Sequence, residues 1–210
     1  MVLELTDELL SYNPSDEQLM VNCISNILLG YYESNHYLMA SPLFCKVFGN
    51  IITEERASRA LFHLSNNNTV TPDVLWVMKV RLNPDKDASK HEISYKFFSK
   101  TTSIQPSILL CENLNDVAFY NELCNCYHYQ SEFVFDGLLG GGDTTDTLYK
   151  SLKGKSRFAL AILDSDIRYP GGSFGKTAKK VINADKRPVA HVMYHVIQVL
   201  EVENLIPYPF

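Results

Sequence analysis

The second half of the chain constrains the fold most. Three short strand-like runs, Ile108-Leu-Leu-Cys111, Glu132-Phe-Val-Phe135 and Phe158-Ala-Leu-Ala-Ile-Leu163, alternate with helical spacing over residues 116–127 and 144–152. Short, nearly continuous apolar runs suit strands buried on both faces, as in parallel sheets covered by helices. A further helix over 176–183 and a strand within 189–200 continue the alternation. The pattern predicts an α/β fold with a mainly parallel sheet flanked by helices. In such sheets the site forms at the carboxyl ends of the strands.

The first hundred residues read differently. After Asp16, the stretch Glu17-Gln-Leu-Met-Val-Asn-Cys-Ile24 repeats apolar residues at helical spacing and predicts an amphipathic helix. A second helix is expected over 53–64, ended by the Asn66-Asn67-Asn68 run. The segments Val74-Leu-Trp-Val-Met-Lys-Val-Arg-Leu82 and Ile93-Ser-Tyr-Lys-Phe-Phe98 are rich in β-branched and aromatic residues, and the turn-forming Asn83-Pro-Asp-Lys-Asp87 separates them. That arrangement predicts a β-hairpin. The polar, proline-containing Ser103-Ile-Gln-Pro-Ser107 marks the boundary. Residues 1–105 are therefore expected to be a helical and hairpin accessory region, and 106–210 the α/β domain.

A chain of 210 residues with net charge -5 and 46% hydrophobic residues is not a disordered tail, a fibre or a generally basic nucleic-acid coat. No apolar run reaches the roughly 18 residues that a membrane span needs. The acidic start, Met1-Val-Leu-Glu-Leu-Thr-Asp7, lacks the basic residues of a signal peptide. A cytoplasmic protein without a membrane partner is expected, with its five cysteines reduced. The average charge hides an asymmetry. All ten basic residues of the second half (Lys150, Lys153, Lys155, Arg157, Arg168, Lys176, Lys179, Lys180, Lys186, Arg187) fall between 150 and 187. One basic stretch in an acidic chain points to a polyanionic ligand.

Applied to the strand ends, the carboxyl-edge rule selects Glu112 after the first run, and Asp164 with Asp166 after the third. Carboxylates gathered at one sheet edge repel each other unless a cation lies among them. Hard oxygen ligands suit Mg2+ or Mn2+. Taken singly, Asp-x-Asp is more often a turn or a helix cap. It is the combination with Glu112, Asp116 and the Gly140-Gly-Gly142-Asp143 turn that favours a metal site.

Those residues carry a resemblance. Ile108-Leu-Leu-Cys-Glu112-Asn-Leu-Asn-Asp116 is similar to the first motif of the Toprim domain, an apolar strand ending in Glu. Leu160-Ala-Ile-Leu-Asp164-Ser-Asp166 resembles its Asp-x-Asp motif, and Gly140-Gly-Gly142 its glycine turn. Within that family the chain looks most like the overcoming-lysogenization-defect (OLD) nucleases, whose Glu-Asn pair Glu203-Asn204 resembles. Asn113 stands where the family usually has Gly. The resemblance covers residues 106–207 and implies a Toprim-like fold and metal-dependent cleavage of phosphodiester bonds in DNA or RNA. It also implies a role as effector in bacterial anti-phage defence. Glu112, Asp164 and Asp166 would coordinate the metal, and Asp116 and Glu203 would hold a second ion or orient water. Lys176, Lys179, Lys180 and Arg168 would contact nucleic acid, with Lys176 also steadying transition-state charge. OLD proteins carry an ATPase, and none is visible here. A separate ATPase or sensor partner is expected, with the N-terminal half a surface for docking or homo-oligomer formation.

A different class of reading stays open, that of a non-catalytic Toprim-like module that binds nucleic acid or a partner. ATP binding by Gly171-Gly-Ser-Phe-Gly175-Lys176-Thr177 is disfavoured. Its two outer glycines enclose three residues, whereas a P-loop needs four. Cys124-x-Cys126-x-His128 lacks a second ligand pair for zinc.

Overall fold

In the computed structural model, which describes residues 1–67, 77–87, 90–127, 135–169 and 171–200, the chain divides into two units, Met1–Pro106 and Ser107–Phe210. The first is itself an α/β unit with a four-stranded parallel sheet. Its strands are β1 (Val2–Leu5), β2 (Tyr37–Ala40), β3 (Met78–Arg81) and β4 (Glu92–Ser94), in the order β2-β1-β3-β4. In β1 the side chains alternate, with Leu3 and Leu5 buried, as a strand with one face in the core requires.

Two expectations are corrected here. The N-terminal half is not a helical and hairpin appendage, and its two expected hairpin strands do not run antiparallel. β3 and β4 pair in parallel, Lys79 opposite Glu92 and Arg81 opposite Ser94. Side chains hold the described parts of the connection between them, residues 82–87 and 90–91. Arg81 donates to Glu92 at 2.7 Å, the Asp85 amide donates to Glu92 at 2.8 Å, and Lys90 pairs with Asp85. The aromatic run after Glu92 supplies only a three-residue strand and then turns into a 3-10 helix at Tyr95–Ser99, whose Tyr95 and Phe98 enter the core.

Helix α1 (Glu17–Tyr32) buries Met20, Cys23, Ile24, Ile27 and Leu28, the stripe visible in its sequence. α2 (Pro42–Gly49) starts at Ser41, whose hydroxyl accepts from the Phe44 amide at 3.0 Å. α3 (Glu55–Asn67) extends into the asparagine run instead of stopping before it. The Glu54 carboxylate receives the Ala57 amide at 2.6 Å and secures the start of α3.

The second unit follows the expected alternation. β5 (Ser107–Cys111), α4 (Leu114–Tyr127), β6 (Phe135–Leu139), α5 (Thr145–Leu152), β7 (Ala159–Leu163), α6 (Lys176–Ala184) and β8 (Val192–Val196) follow one another. All strand pairs are parallel, in the order β6-β5-β7-β8. Of the strand expected at 132–135, only Phe135 lies among the described residues, and β6 runs on to Leu139. Every residue of β5 is buried, the signature of a central strand covered on both faces. One face packs Ile108, Leu110, Ala159, Ala161 and Leu163 against Tyr149, Leu152, Ala178 and Val181, and the other sets Leu109 and Cys111 against Val117. Gly137 on β6 lies directly beneath Val117, where a β-carbon would overlap the valine side chain. Among the described residues no helix is long and apolar enough to cross a membrane, and Cys23, Cys45 and Cys111 are buried.

Candidate functional site at the carboxyl edge of the second sheet

β5 and β7 are neighbours in register, Ile108 opposite Ala159 and Leu110 opposite Ala161. Both therefore end at the same edge, β5 delivering Glu112 and β7 delivering Asp164, Ser165 and Asp166. The edge is also a topological switch point, because the chain leaves β5 for β6 on one side and later returns as β7 on the other. Such a point leaves a crevice between the strand ends.

Glu112 is half-buried. One of its oxygens, Oε1, is buried without a hydrogen-bond partner among the described residues. Burial, and after it the like charges of Asp164, Asp166 and Asp116, push its carboxyl above the usual carboxylate range, while a hydrogen bond from Thr177 pulls the other way. Among the described residues Glu112 forms no ion pair with a Lys, Arg or His. Cys111 and Tyr120 feel the same negative field. Burial first, then Asp116 and Asp164, raise the Cys111 thiol to about 12. Tyr120 is likewise raised, by burial and then by Cys111, Asp164 and Asp116, and its hydroxyl is buried without a hydrogen-bond partner among the described residues.

Asp116 has a local structural role. The Asn113 amide donates to Asp116 Oδ2 at 3.4 Å and the Asp116 amide donates to Asn113 Oδ1 at 3.0 Å, a reciprocal cap on the first turn of α4. The cap gives Asn113 a structural role and fixes the turn just after Glu112.

In the Asp-x-Asp segment the middle residue is the most buried. The Ser165 hydroxyl donates to the Val199 carbonyl at 2.6 Å and accepts from the Ile167 amide at 3.2 Å, and the Asp166 amide donates to Leu200 at 3.2 Å. Asp166 adopts a left-handed backbone with φ of 52°, a conformation Asp tolerates better than most residues. Its carboxylate lies so close over Gly175 that a methyl group there would overlap it. The Gly175 amide donates to the Ser165 carbonyl at 2.8 Å, which ties Gly175 to the sheet edge beside the Asp-x-Asp segment. The loop exposes Arg168, Tyr169 (68%) and Phe174 (38%).

The lysines expected to meet phosphate are engaged elsewhere. Lys176 and Lys180 stand 2.8 and 3.0 Å from the same Asp143 oxygen, and Lys179 donates to Ser173 at 2.9 Å. Arg168 forms no ion pair among the described residues. Glu203 lies outside the described residues. Among them no three His, Cys, Asp or Glu side chains form a ready-made metal-ligand group.

The structure thus brings Glu112, Asp116, Asp164 and Asp166 within electrostatic reach of one another and sets Lys176 and Lys180 on a neighbouring acid. Sequence reasoning counted the turn bearing Asp143 toward the metal site and did not foresee its pairing with Lys176 and Lys180, and it gave no role at the acidic edge to Ser165, Thr177 or Tyr120. Ser165 and Tyr120 carry no local signal of their surroundings, because these depend on segments distant in the chain. No family model, curated protein or solved structure matches this chain.

Proposed function

We propose that the chain is a divalent-metal-dependent nuclease of the Toprim type, hydrolysing phosphodiester bonds in DNA or RNA. One observation carries the reading: neighbouring parallel strands deliver Glu112, Asp164 and Asp166 to one edge, where burial and, after it, the like charges of Asp164 and Asp166 lift the Glu112 carboxyl. A buried carboxylate oxygen lacking a hydrogen-bond partner beside two further carboxylates is chemically suited to Mg2+ or Mn2+. A bound ion there would lower the pKa of a water so that hydroxide forms to attack phosphorus, and would offer positive charge to the leaving oxygen.

The chain's own residues then have distinct tasks. Glu112, Asp164 and Asp166 hold the ion, with Glu203 a further ligand by resemblance. Asp116 keeps the turn bearing Glu112 in place, and Thr177 orients the Glu112 carboxylate. Lys176, Lys179, Lys180 and Arg168 supply positive charge for the nucleic-acid backbone, and exposed Tyr169 and Phe174 offer faces for unpaired bases. A cytoplasmic effector of anti-phage defence, working with a separate ATPase or sensor and as a homo-oligomer, fits the same resemblance.

A second reading, a non-catalytic module that binds nucleic acid or a partner, is favoured by the lack of a ready-made three-ligand group among the described residues. Incubation with DNA, RNA and transfer RNA in Mg2+ or Mn2+ separates the two. Cleavage that disappears in Asp164→Ala/Asp166→Ala, with an unchanged circular dichroism spectrum, supports the nuclease. Undiminished cleavage in that variant removes the site assignment, and a wild type that neither binds metal nor cleaves leaves the binding module.

A further inference from the structure

We propose that Asp143 is a displaceable internal anion that occupies the Lys176–Lys180 pair until a backbone phosphate of the nucleic acid takes its place. The inference rests on the nucleic-acid reading above and names the residue that controls entry to that site.

Lys176 and Lys180 are one helical turn apart on α6, so their side chains share a face, and both reach the same oxygen of Asp143. Lys180 also donates to the Asp143 carbonyl at 3.3 Å. The first turn of α6 holds no acidic residue, and its N-cap, Gly175, offers no side-chain acceptor. Lys176 therefore stands at the positive end of a helix, an arrangement unfavourable on its own, and Lys180 brings a second ammonium to the same carboxylate oxygen. Asp143 supplies the missing negative charge, and with Asp146, which pairs with Lys150 and attracts Lys180 more weakly, two carboxylates face three lysines. A surplus of positive charge stays in place for a phosphodiester.

The turn that carries Asp143 is anchored at its base and open at its tip. The Gly140 amide donates to Cys111 at 2.7 Å and the Gly141 amide to Glu112 at 3.2 Å, which fixes the base against the acidic edge. Gly141 and Gly142 have φ of 66° and 63°, and a β-carbon on Gly142 would meet nothing within 4 Å. Asp143 and Lys176 are each 74% exposed at the side chain. Ion pairs this exposed hold weakly and are screened by salt, so exchanging the carboxylate for a phosphate costs little. The exchange would leave the phosphate close to Glu112, because the base of the turn is bonded to the Glu112 backbone.

Fluorescence anisotropy with a labelled single-stranded DNA oligonucleotide, in EDTA to prevent cleavage, tests this. Asp143→Asn is expected to tighten binding by about 3–10-fold at low salt and to steepen the salt dependence by about one released counterion. Asp136→Asn, the same charge change on an acid paired with Arg157, should tighten it much less. In a Lys176→Gln/Lys180→Gln background the gain from Asp143→Asn should vanish. Equal effects of Asp143→Asn and Asp136→Asn, or a gain that survives loss of both lysines, overturn the proposal while leaving the nuclease reading intact. No binding by either wild type or Asp143→Asn overturns it as well. A wild type that fails to cleave in metal, with the Asp143→Asn gain present, removes the nuclease and leaves this anion site standing.

Discussion

The two sheets have the same topology and opposite chemistry at their strand ends. Each is parallel and four-stranded, with the first strand of its unit between the second and third. In the first unit the charges are matched. Arg81 at the end of β3 lies between Glu8 and Glu92, at 2.5 and 2.7 Å, Ser41 donates to Asp7, and the Thr6 hydroxyl donates to Val80. A backbone hydrogen bond from Asp85 first, and Arg81 after it, hold the Glu92 carboxyl below its ordinary range despite some burial. In the second unit Glu112 is raised by burial and by like charges. Topology placed polar groups at both edges, but residue identity made one edge self-satisfied and the other electrostatically frustrated. Frustration of that kind singles out the second edge as the candidate site.

The largest expected effect is on cleavage. Asp164→Ala/Asp166→Ala should reduce metal-dependent hydrolysis to background in a gel assay, while Glu8→Gln at the matched edge leaves it unchanged. Activity lost equally in both would erase the contrast.

Metal should stabilise one edge only. At a free Mn2+ concentration of about 100 times Kd, binding to the folded chain adds about 2.7 kcal/mol, read as a rise in Tm. Glu112→Gln should remove most of that rise, and Glu92→Gln none of it.

Packing around the glycine turn comes next. In Gly140→Ala the new methyl would overlap the Thr145 hydroxyl and stand 2.9 Å from the Cys111 carbonyl oxygen, so a loss of about 1–3 kcal/mol is expected in urea denaturation. Gly171 has φ of 81° but open space around it. Gly171→Ala should cost only backbone strain, about 1 kcal/mol.

The smallest effects are in pH dependence, and they have opposite signs. A raised carboxyl contributes stability fully present below its unfolded pKa and lost as pH rises through its folded value. Glu112→Gln should therefore raise Tm at neutral pH in metal-free buffer, with the gain fading toward acid. A lowered carboxyl contributes stability present above its unfolded pKa and lost as pH falls through its folded value. Glu92→Gln should lower Tm at neutral pH, and that deficit should fade toward acid. Matching signs in thermal melts from acid to neutral pH would show that the two edges do not differ as described.

Much of the second unit was legible because its signals are local. Runs such as Phe158–Leu163 and the helical spacing of 144–152 report burial and period without reference to the rest of the chain, and the carboxylates follow the strands directly. The first unit was read less well for the same reason. Val2–Leu5 and Tyr37–Ala40 are four-residue strands, too short to declare a period, and the turn chemistry of Asn83-Pro-Asp-Lys-Asp87 suggests a hairpin where the chain in fact returns to pair in parallel. Asp116 was expected to hold a second ion or orient water, and its exchange of hydrogen bonds with Asn113 shows a capping role on α4 that the sequence did not announce.

By itself, then, the sequence determined the alternation of the second half, its buried central strand and the carboxylates at one edge, since each follows from residue type and spacing within a few positions. Only the tertiary structure decided that the first half forms a second parallel sheet and that Lys176 and Lys180 meet Asp143. Tertiary contacts also set Ser165 and Thr177 among the acids. Strand direction depends on which backbone groups find one another across long stretches of chain. A charge's partner depends on which surfaces approach, and no local pattern of residues encodes either.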